Sequence, residues 1–368
     1  MVPTFETPPL PVSVVDHIKR TGLAACHAVL RNLDLDEAPL YAKYLEATSL
    51  RRMELRKGAD ATESARTCIL GRTTLSASLD EIAVHLPASK GAYMWGIAPE
   101  HQHLYRLAAP TRDKPWQSTL VHWFGVDGRD FCVVETQLGF TTATAARGLV
   151  RVLQSLDLPT VCPPLDPAYK YARSTLEPCG HVFVEELPTK ARAAMATVFA
   201  VVTLPSSAPT LADLADARQR VTAIMSLAAH FQTQRLTKAA VALVNWRRSP
   251  NYDVAWVEAK KPAKLCAICS GRFHLFRPKV HCELDGRVVC CGCSAKWCLL
   301  PGAASPISVR ICNDCVQGAV RGNLTVGPKA TTTDASNRAV QTLSSLLGSR
   351  QDGSARTNPP RVASEYTE

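Results

Sequence analysis

The sequence predicts an α+β protein in three parts: a large N-terminal domain of helices and strands, a small metal-bound domain, and a disordered tail. Three observations carry this. Residues 266–315 hold nine of the chain's 14 cysteines. A strand-rich stretch runs from about Cys68 to Leu204. After it, Leu214, Ala217, Val221, Ile224, Ala228 and Phe231 recur at three- and four-residue spacing, the pattern of a helix with one apolar face.

The N-terminal helices come first. Val15, Ile18, Leu23, Val29, Leu30 and Leu33 form an apolar stripe, and a second helix is expected from Leu40 to about Leu55, with Pro39 separating the two. In the strand-rich middle, QSTLVHWFGVDGRDFCVVETQ places two β-branched and aromatic runs around Asp127-Gly128, a hairpin signature. The segments starting at Gly180 and Ala196 read as a second strand pair, and Ala143–Leu156 between the two pairs as a short helix ended near Pro163 and Pro164. The long helix starts at a capping-box pair, Thr210 and Asp213, and continues towards Val244. Asn245–Lys264 is polar and basic and reads as a connection. Residues 316–368 hold too few apolar side chains to build a core, apart from AVQTLSSLLG, which reads as a short helix formed on binding.

Bulk composition bounds the partners. A net charge of +10 favours anionic ones. The longest largely apolar run, Ala193–Leu204, lies between Arg192 and Pro205. It falls well short of the roughly 20 residues a membrane helix takes. The opening MVPTFETPPLPVS has no basic region followed by an apolar stretch, so a secretory leader is not expected. A reducing, cytoplasmic compartment follows, where clustered cysteines read as zinc ligands rather than disulfides. Cys26, Cys68, Cys132, Cys162 and Cys179 are widely spaced and read as buried thiols.

No catalytic constellation stands out, and an enzyme is not expected. His101 and His103 read as solvated loop residues, and His122 and His181 as strand histidines. GxSxG, HExxH and a phosphate-cradling glycine loop are all missing.

The cysteine spacing is the chemical signal. Cys266-x2-Cys269, Cys290-x2-Cys293 and Cys312-x2-Cys315 are pairs that present two thiolates to one tetrahedral ion. With Cys282 they make seven ligands, one short of two zinc sites. The same two-residue gap counted from Cys282 lands on Asp285, whose carboxylate is an acceptable eighth ligand. Cys291 and His281 are the alternatives, and Asp285-Gly286 also reads as a plain turn dipeptide.

At this point the segment resembles the FYVE zinc fingers. Gly286-x-Val288-Val289-Cys290, Cys293-Ser294, Leu300-Pro301 and Arg310-Ile311-Cys312 are similar to that family's conserved stretches, and Trp256 to the tryptophan that opens the domain. The resemblance implies a cross-braced FYVE/PHD-type fold with two Zn2+ ions. Cys266, Cys269, Cys290 and Cys293 would form one site, and Cys282, Asp285, Cys312 and Cys315 the other. It also implies docking on phosphatidylinositol 3-phosphate in membranes. The family's RRHHC stretch corresponds to Pro278–Cys282. Lys279 and His281 match it, Pro278 and Val280 do not, and Arg277 is displaced by one place. Arg310 matches a further phosphate-contacting arginine. Leu275 and Phe276 stand where the family exposes an apolar pair to the bilayer, and Phe273 reads as the aromatic packed inside the finger.

The N-terminal order of helices, strands and one long helix resembles START-like lipid-transfer domains. That resemblance implies a helix-grip fold, with a curved antiparallel sheet around a long C-terminal helix, and a hydrophobic lipid ligand. WFGVDGRDFCVVE and GLVRVLQSLDLP carry it. The expected domains are 1–247 START-like, 254–318 FYVE-like and 319–368 disordered. The functional expectation is a zinc-binding adaptor, peripheral on endosomal membrane carrying phosphoinositide, with no nucleic-acid partner. A finger kept only for protein contact is the alternative. A RING-like ubiquitin ligase is a further one, which Glu283–Val289 argues against because it holds neither histidine nor cysteine.

Overall fold

The computed structural model describes residues 3–45, 51–88, 94, 100–186, 194–247, 263–300, 305–324 and 327. Of the expected polar connection, Asn245–Arg247 continue the preceding helix, and residues 248–262, with Trp256 among them, lie outside the described residues, as do Leu187, Pro301 and the tail segment AVQTLSSLLG.

The first helix, α1 (Val12–Arg31), runs into a 3-10 turn, Asn32–Glu37. The expected second helix is not formed. Its residues build the hairpin of β1 (Leu40–Leu45) and β2 (Arg52–Ala59), with Leu45 opposite Arg52. Met53 and Leu55 are both buried, so the pattern that decides this segment has period two. β3 (Thr67–Leu75) follows, then α2 (Leu79–Ala88), then β4 (Glu100–Ala108). The predicted hairpin is present as β5 (Ser118–Val126) and β6 (Arg129–Thr141), with Val126 opposite Arg129. Asp127 and Gly128 both take positive φ, at 50° and 69°, as a two-residue turn matched to strand twist requires.

The short helix expected at Ala143–Leu156 is instead β7 (Arg147–Ser155). Leu149, Arg151 and Leu153 point to one face and Val150 and Val152 to the other, and all are buried. A strand buried on both sides shows a continuous apolar run, which reads equally as helix. The two-residue β8 (Ala172–Arg173) lies parallel to the start of β6. β9 (Cys179–Glu185) and β10 (Ala196–Leu204) are the expected antiparallel pair.

The main path of the sheet is antiparallel throughout, in the order β1-β2-β3-β10-β9-β7-β6-β5-β4. One face carries α1, whose Ala25, Cys26 and Val29 meet Leu70, Val150, Val152 and Val201. Gly22 lets α1 approach β6 closely, since a Cβ there would stand 2.0 Å from the Thr136 hydroxyl. The other face is covered by α2 and by α3 (Leu211–Ala223) and α4 (Ser226–Arg247). This is the helix-grip arrangement, in an α+β fold.

Two details depart from a single long helix. The capping box is present, with Thr210 accepting from the Asp213 amide and Asp213 accepting from the Thr210 amide. The helix then breaks at Ile224–Met225. Here amides reach back three residues rather than four, and Ser226 Oγ donates to the Ala223 carbonyl at 2.7 Å.

His101 and His103 lie in β4, not in a loop, and His101 Nε2 is 2.9 Å from Nδ1 of buried His122. Burial holds His122 and His85 down to about 4. Such imidazoles fold as neutral bases, and their contribution is complete above their ordinary value near 6.5. It is lost as the pH falls from there towards about 4. We expect urea-unfolding free energy to drop across that window, and to drop less steeply in His122→Gln. A variant with the wild-type slope would contradict this.

The five dispersed cysteines are all buried and free. Burial pushes Cys26 up to about 12 and Cys179 to about 11, as inert core thiols require. Among the described residues no helix is long and apolar enough to cross a membrane.

Candidate metal centre

The C-terminal unit is built on two short hairpins and a helix. β11 (Lys279–His281) pairs with β12 (Val288–Cys290), and β13 (Ser294–Leu299) with β14 (Ile307–Cys312). Cys312 caps α5 (Asn313–Arg321), which presents Cys315 from its first turn.

Two sets of four ligand atoms converge, one from Cys266, Cys269, Cys290 and Cys293, the other from Cys282, Asp285, Cys312 and Cys315. In each set all atoms lie within 4.8 Å of one another. Cys269 and Cys290 sulfurs are 3.8 Å apart, as are those of Cys282 and Cys315. Thiolates on a tetrahedral zinc at about 2.3 Å stand about 3.8 Å from one another, whereas disulfide sulfurs would be about 2 Å apart. The Asp285 Oδ2 atom lies 3.2 Å from Cys315 Sγ and 3.6 Å from Cys312 Sγ. A carboxylate and a thiolate sharing one zinc would stand about 3.5 Å apart. Both sets therefore fit a tetrahedral divalent ion, and Asp285, not Cys291 or His281, completes the second.

Local backbone geometry explains why an aspartate can fill this place. In the first set the Ser270 amide donates to the Cys266 carbonyl at 2.9 Å, closing a turn with Cys269 inside it. In the second set the Gly286 amide donates to the Cys282 carbonyl at 2.9 Å, with Asp285 in the equivalent position. Ser270 and Gly286 both have positive φ, 55° and 75°. The sulfur opening each turn accepts an amide from the partner pair: Cys290 to Cys266 at 3.3 Å, Cys312 to Cys282 at 3.4 Å. The two halves are thus copies of one device, and pairs one and three, two and four, are interleaved in the chain.

Around the sets lie the six residues that the sequence associates with membrane lipid. His274 and Arg277 exchange backbone hydrogen bonds, so Leu275 and Phe276 form the tip of a tight turn. They are 87% and 88% exposed, while Phe273 packs against the finger's core. Lys279 is exposed on β11, and His281 is half-buried on the same strand. Arg277 donates to Cys269 Sγ, so its guanidinium lies against the first metal set. Arg310, on β14, donates its amide to Glu283 Oε1 at 2.7 Å and its guanidinium to Ser294 Oγ at 3.2 Å. The Glu283 amide in turn reaches the Arg310 carbonyl, which brings the chain after β11 alongside β14.

A family model, FYVE zinc finger, matches residues 255–321, the stretch that carries both ligand sets. This part of the chain is a FYVE zinc finger. The FYVE unit is not free-standing. Leu236, Ala239, Ala240 and Leu243 of α4 share one buried cluster with its Leu284, Val289, Leu299, Ile311 and Ala319. Arg235 donates to the Ala319 carbonyl at the end of α5 and also to the Ser76 carbonyl and Glu81 at the start of α2. This seam escapes sequence reading. The apolar residues of α4 serve two partners on different faces, so they make no single stripe.

The N-terminal unit is similar to solved lipid-transfer domains. Human StAR-related lipid transfer protein 5 is 12% identical, with 58% of this chain and 98% of that chain covered and a TM-score of 0.35. A STAR-related lipid transfer protein fragment from Xanthomonas axonopodis is 13% identical, with coverages of 51% and 97% and a TM-score of 0.34. The human StarD13 (DLC2) lipid transfer and protein localization domain is 8% identical, with coverages of 53% and 94% and a TM-score of 0.31. A search of curated proteins found no match for the chain.

Proposed function

We propose that the protein is a non-enzymatic, zinc-loaded adaptor that docks on phosphoinositide-bearing membrane, phosphatidylinositol 3-phosphate on endosomes being the first candidate. The observation that carries this reading is the turn tip. Two large apolar side chains project side by side into solvent, just before the basic strand bearing Lys279 and His281. Apolar side chains gain free energy on leaving water, and an adjacent cation favours an anionic surface. Lys279, His281 and Arg310 supply the headgroup contacts, and Arg277 adds charge from the edge of the first metal set. In this reading the START-like unit holds a hydrophobic lipid or serves as scaffold.

Sedimentation with vesicles containing phosphatidylinositol 3-phosphate tests it. Burying two such side chains is worth about 3–5 kcal/mol at most. Leu275→Ala/Phe276→Ala is therefore expected to weaken vesicle binding at least tenfold. Equal binding by wild type and double variant would refute the membrane reading.

A second reading, a finger used only for protein contact, is favoured by Pro278 and Val280 at places where the family carries charge. It predicts a folded, metal-loaded protein that ignores vesicles of every phosphoinositide composition.

A further inference from the structure

We infer that Arg287 is the positioning residue of the second metal set, holding the Asp285 carboxylate where a fourth thiolate would otherwise stand. The inference rests on the zinc-finger reading above but not on its membrane part.

Asp285 is 1% exposed, among three buried cysteines. A carboxylate there is costly unless it is bonded to cations. A cysteine reaches a zinc ion with one sulfur that needs no further orientation. A carboxylate has two oxygens and a free torsion, and must be aimed. Arg287 does this from two residues away. Its amide donates to Oδ1 at 3.1 Å, and its Nε donates to Oδ2 at 2.7 Å. Oδ2 is the same atom that faces Cys312 and Cys315. The carboxylate is thus pinned through both oxygens, with Oδ2 turned to the cysteines.

Arg287 is itself fixed. Its Nη1 donates to Asp314 Oδ2 at 2.7 Å, and its Nη2 to Cys312 Sγ at 3.4 Å. Lysine cannot reproduce the fork that touches Asp285, Asp314 and Cys312 together. Three thiolates and a carboxylate around a divalent ion leave an excess of two negative charges, and the guanidinium offsets one of them. The first set holds no carboxylate, so Arg277, which donates to its Cys269 Sγ, has no ligand to aim. The two metals are therefore held unequally, only the second depending on a partner that aims one of its ligands.

Losing an outer partner of this kind costs 10- to 100-fold in metal affinity. The test uses the full chain loaded with zinc, read by metal content after desalting and by release to a chromogenic chelator. Wild type should carry two zinc ions and release them in two phases. Arg287→Ala should release the second 10- to 100-fold more readily, with the first phase unchanged, and Arg287→Lys should fall between. In Asp285→Cys the need for aiming disappears, so Asp285→Cys/Arg287→Ala should again hold two ions. That double variant also separates a lost clamp from failed folding. With cobalt in place of zinc, Asp285→Cys should strengthen the thiolate-to-metal absorption, because one more sulfur ligates. The inference is overturned if wild type binds one ion, if Arg287→Ala or Asp285→Ala releases both ions at wild-type rates, or if the double variant still loses one. None of these readings involves vesicles, so a failure of lipid docking leaves them intact.

Discussion

Stripping both metals from the protein is expected to unfold residues 264–321 while leaving the large sheet standing. A structural zinc contributes about 10–16 kcal/mol to small fingers, far more than the short hairpins and one helix here supply alone. The described FYVE unit has two short two-stranded sheets and a core whose buried members include Cys266, Cys282, Cys290, Cys312 and Cys315. Without metal those thiols repel or protonate, and the turns around Cys269 and Asp285 lose their reason to close. The damage does not stop at the finger. Leu236 and Leu243 of α4 are wholly buried by it. Hydrogen exchange after chelation should therefore speed up across β11–β14, α5 and the second half of α4. Amides of β6, β7 and β9 should stay protected, since α1 covers them independently of the finger. Unchanged exchange in α4 would show that the seam is not an energetic one.

The second large effect lies inside the helix grip. Arg151 and Glu135 form a forked pair, Nε to Oε1 at 2.9 Å and Nη2 to Oε2 at 3.0 Å, with side chains 0% and 2% exposed. Burial opposes the Glu135 charge, but Arg151 overrides it and holds the carboxyl below its ordinary value. Glu135→Ala leaves a guanidinium buried without its counter-ion. Breaking one side of such a pair costs about 3–5 kcal/mol, a large share of the roughly 5–15 kcal/mol that holds a domain together. Replacing both by apolar residues, Glu135→Leu/Arg151→Met, removes the stranded charge and should recover most of that loss. Urea denaturation of the three proteins decides it. A double variant no better than Glu135→Ala would mean that the pair's geometry, not its charge, is what the fold needs.

The metal centre was the most legible part of the chain, because ligation depends on residue type and spacing within a few turns. Cys266-x2-Cys269 and the equivalent Cys282-x2-Asp285 can be counted without knowing the fold. What the sequence hid was the partner of Asp285. Arg287 is only two residues away, but nothing in one dimension says that its side chain turns back. The sheet was legible where a turn marked it, as at Asp127-Gly128, and in the β-branched runs of β9 and β10, but misread at β1–β2 and at β7. YAKYLEATSLRRMELRK is rich in good helix formers, and pairing with β3 overrides that local preference. α2 carried a signal that goes unread. Ser78 and Glu81 exchange capping hydrogen bonds of 3.0 and 3.2 Å, the S-x-x-E box that marks a helix start.

The seam between α4 and the finger also sets a timetable. On the ribosome, the strands and α1–α3 can assemble as soon as they emerge. Leu236, Ala240 and Leu243 cannot be covered until Ile311 and Ala319 have been made and metal has been captured. Synthesis runs at roughly 5–20 residues per second, so the apolar end of α4 waits for some seconds in the open. In a cell short of zinc that wait has no end. The newborn chain would then show chaperones and proteases the same sticky helix that the finished protein hides.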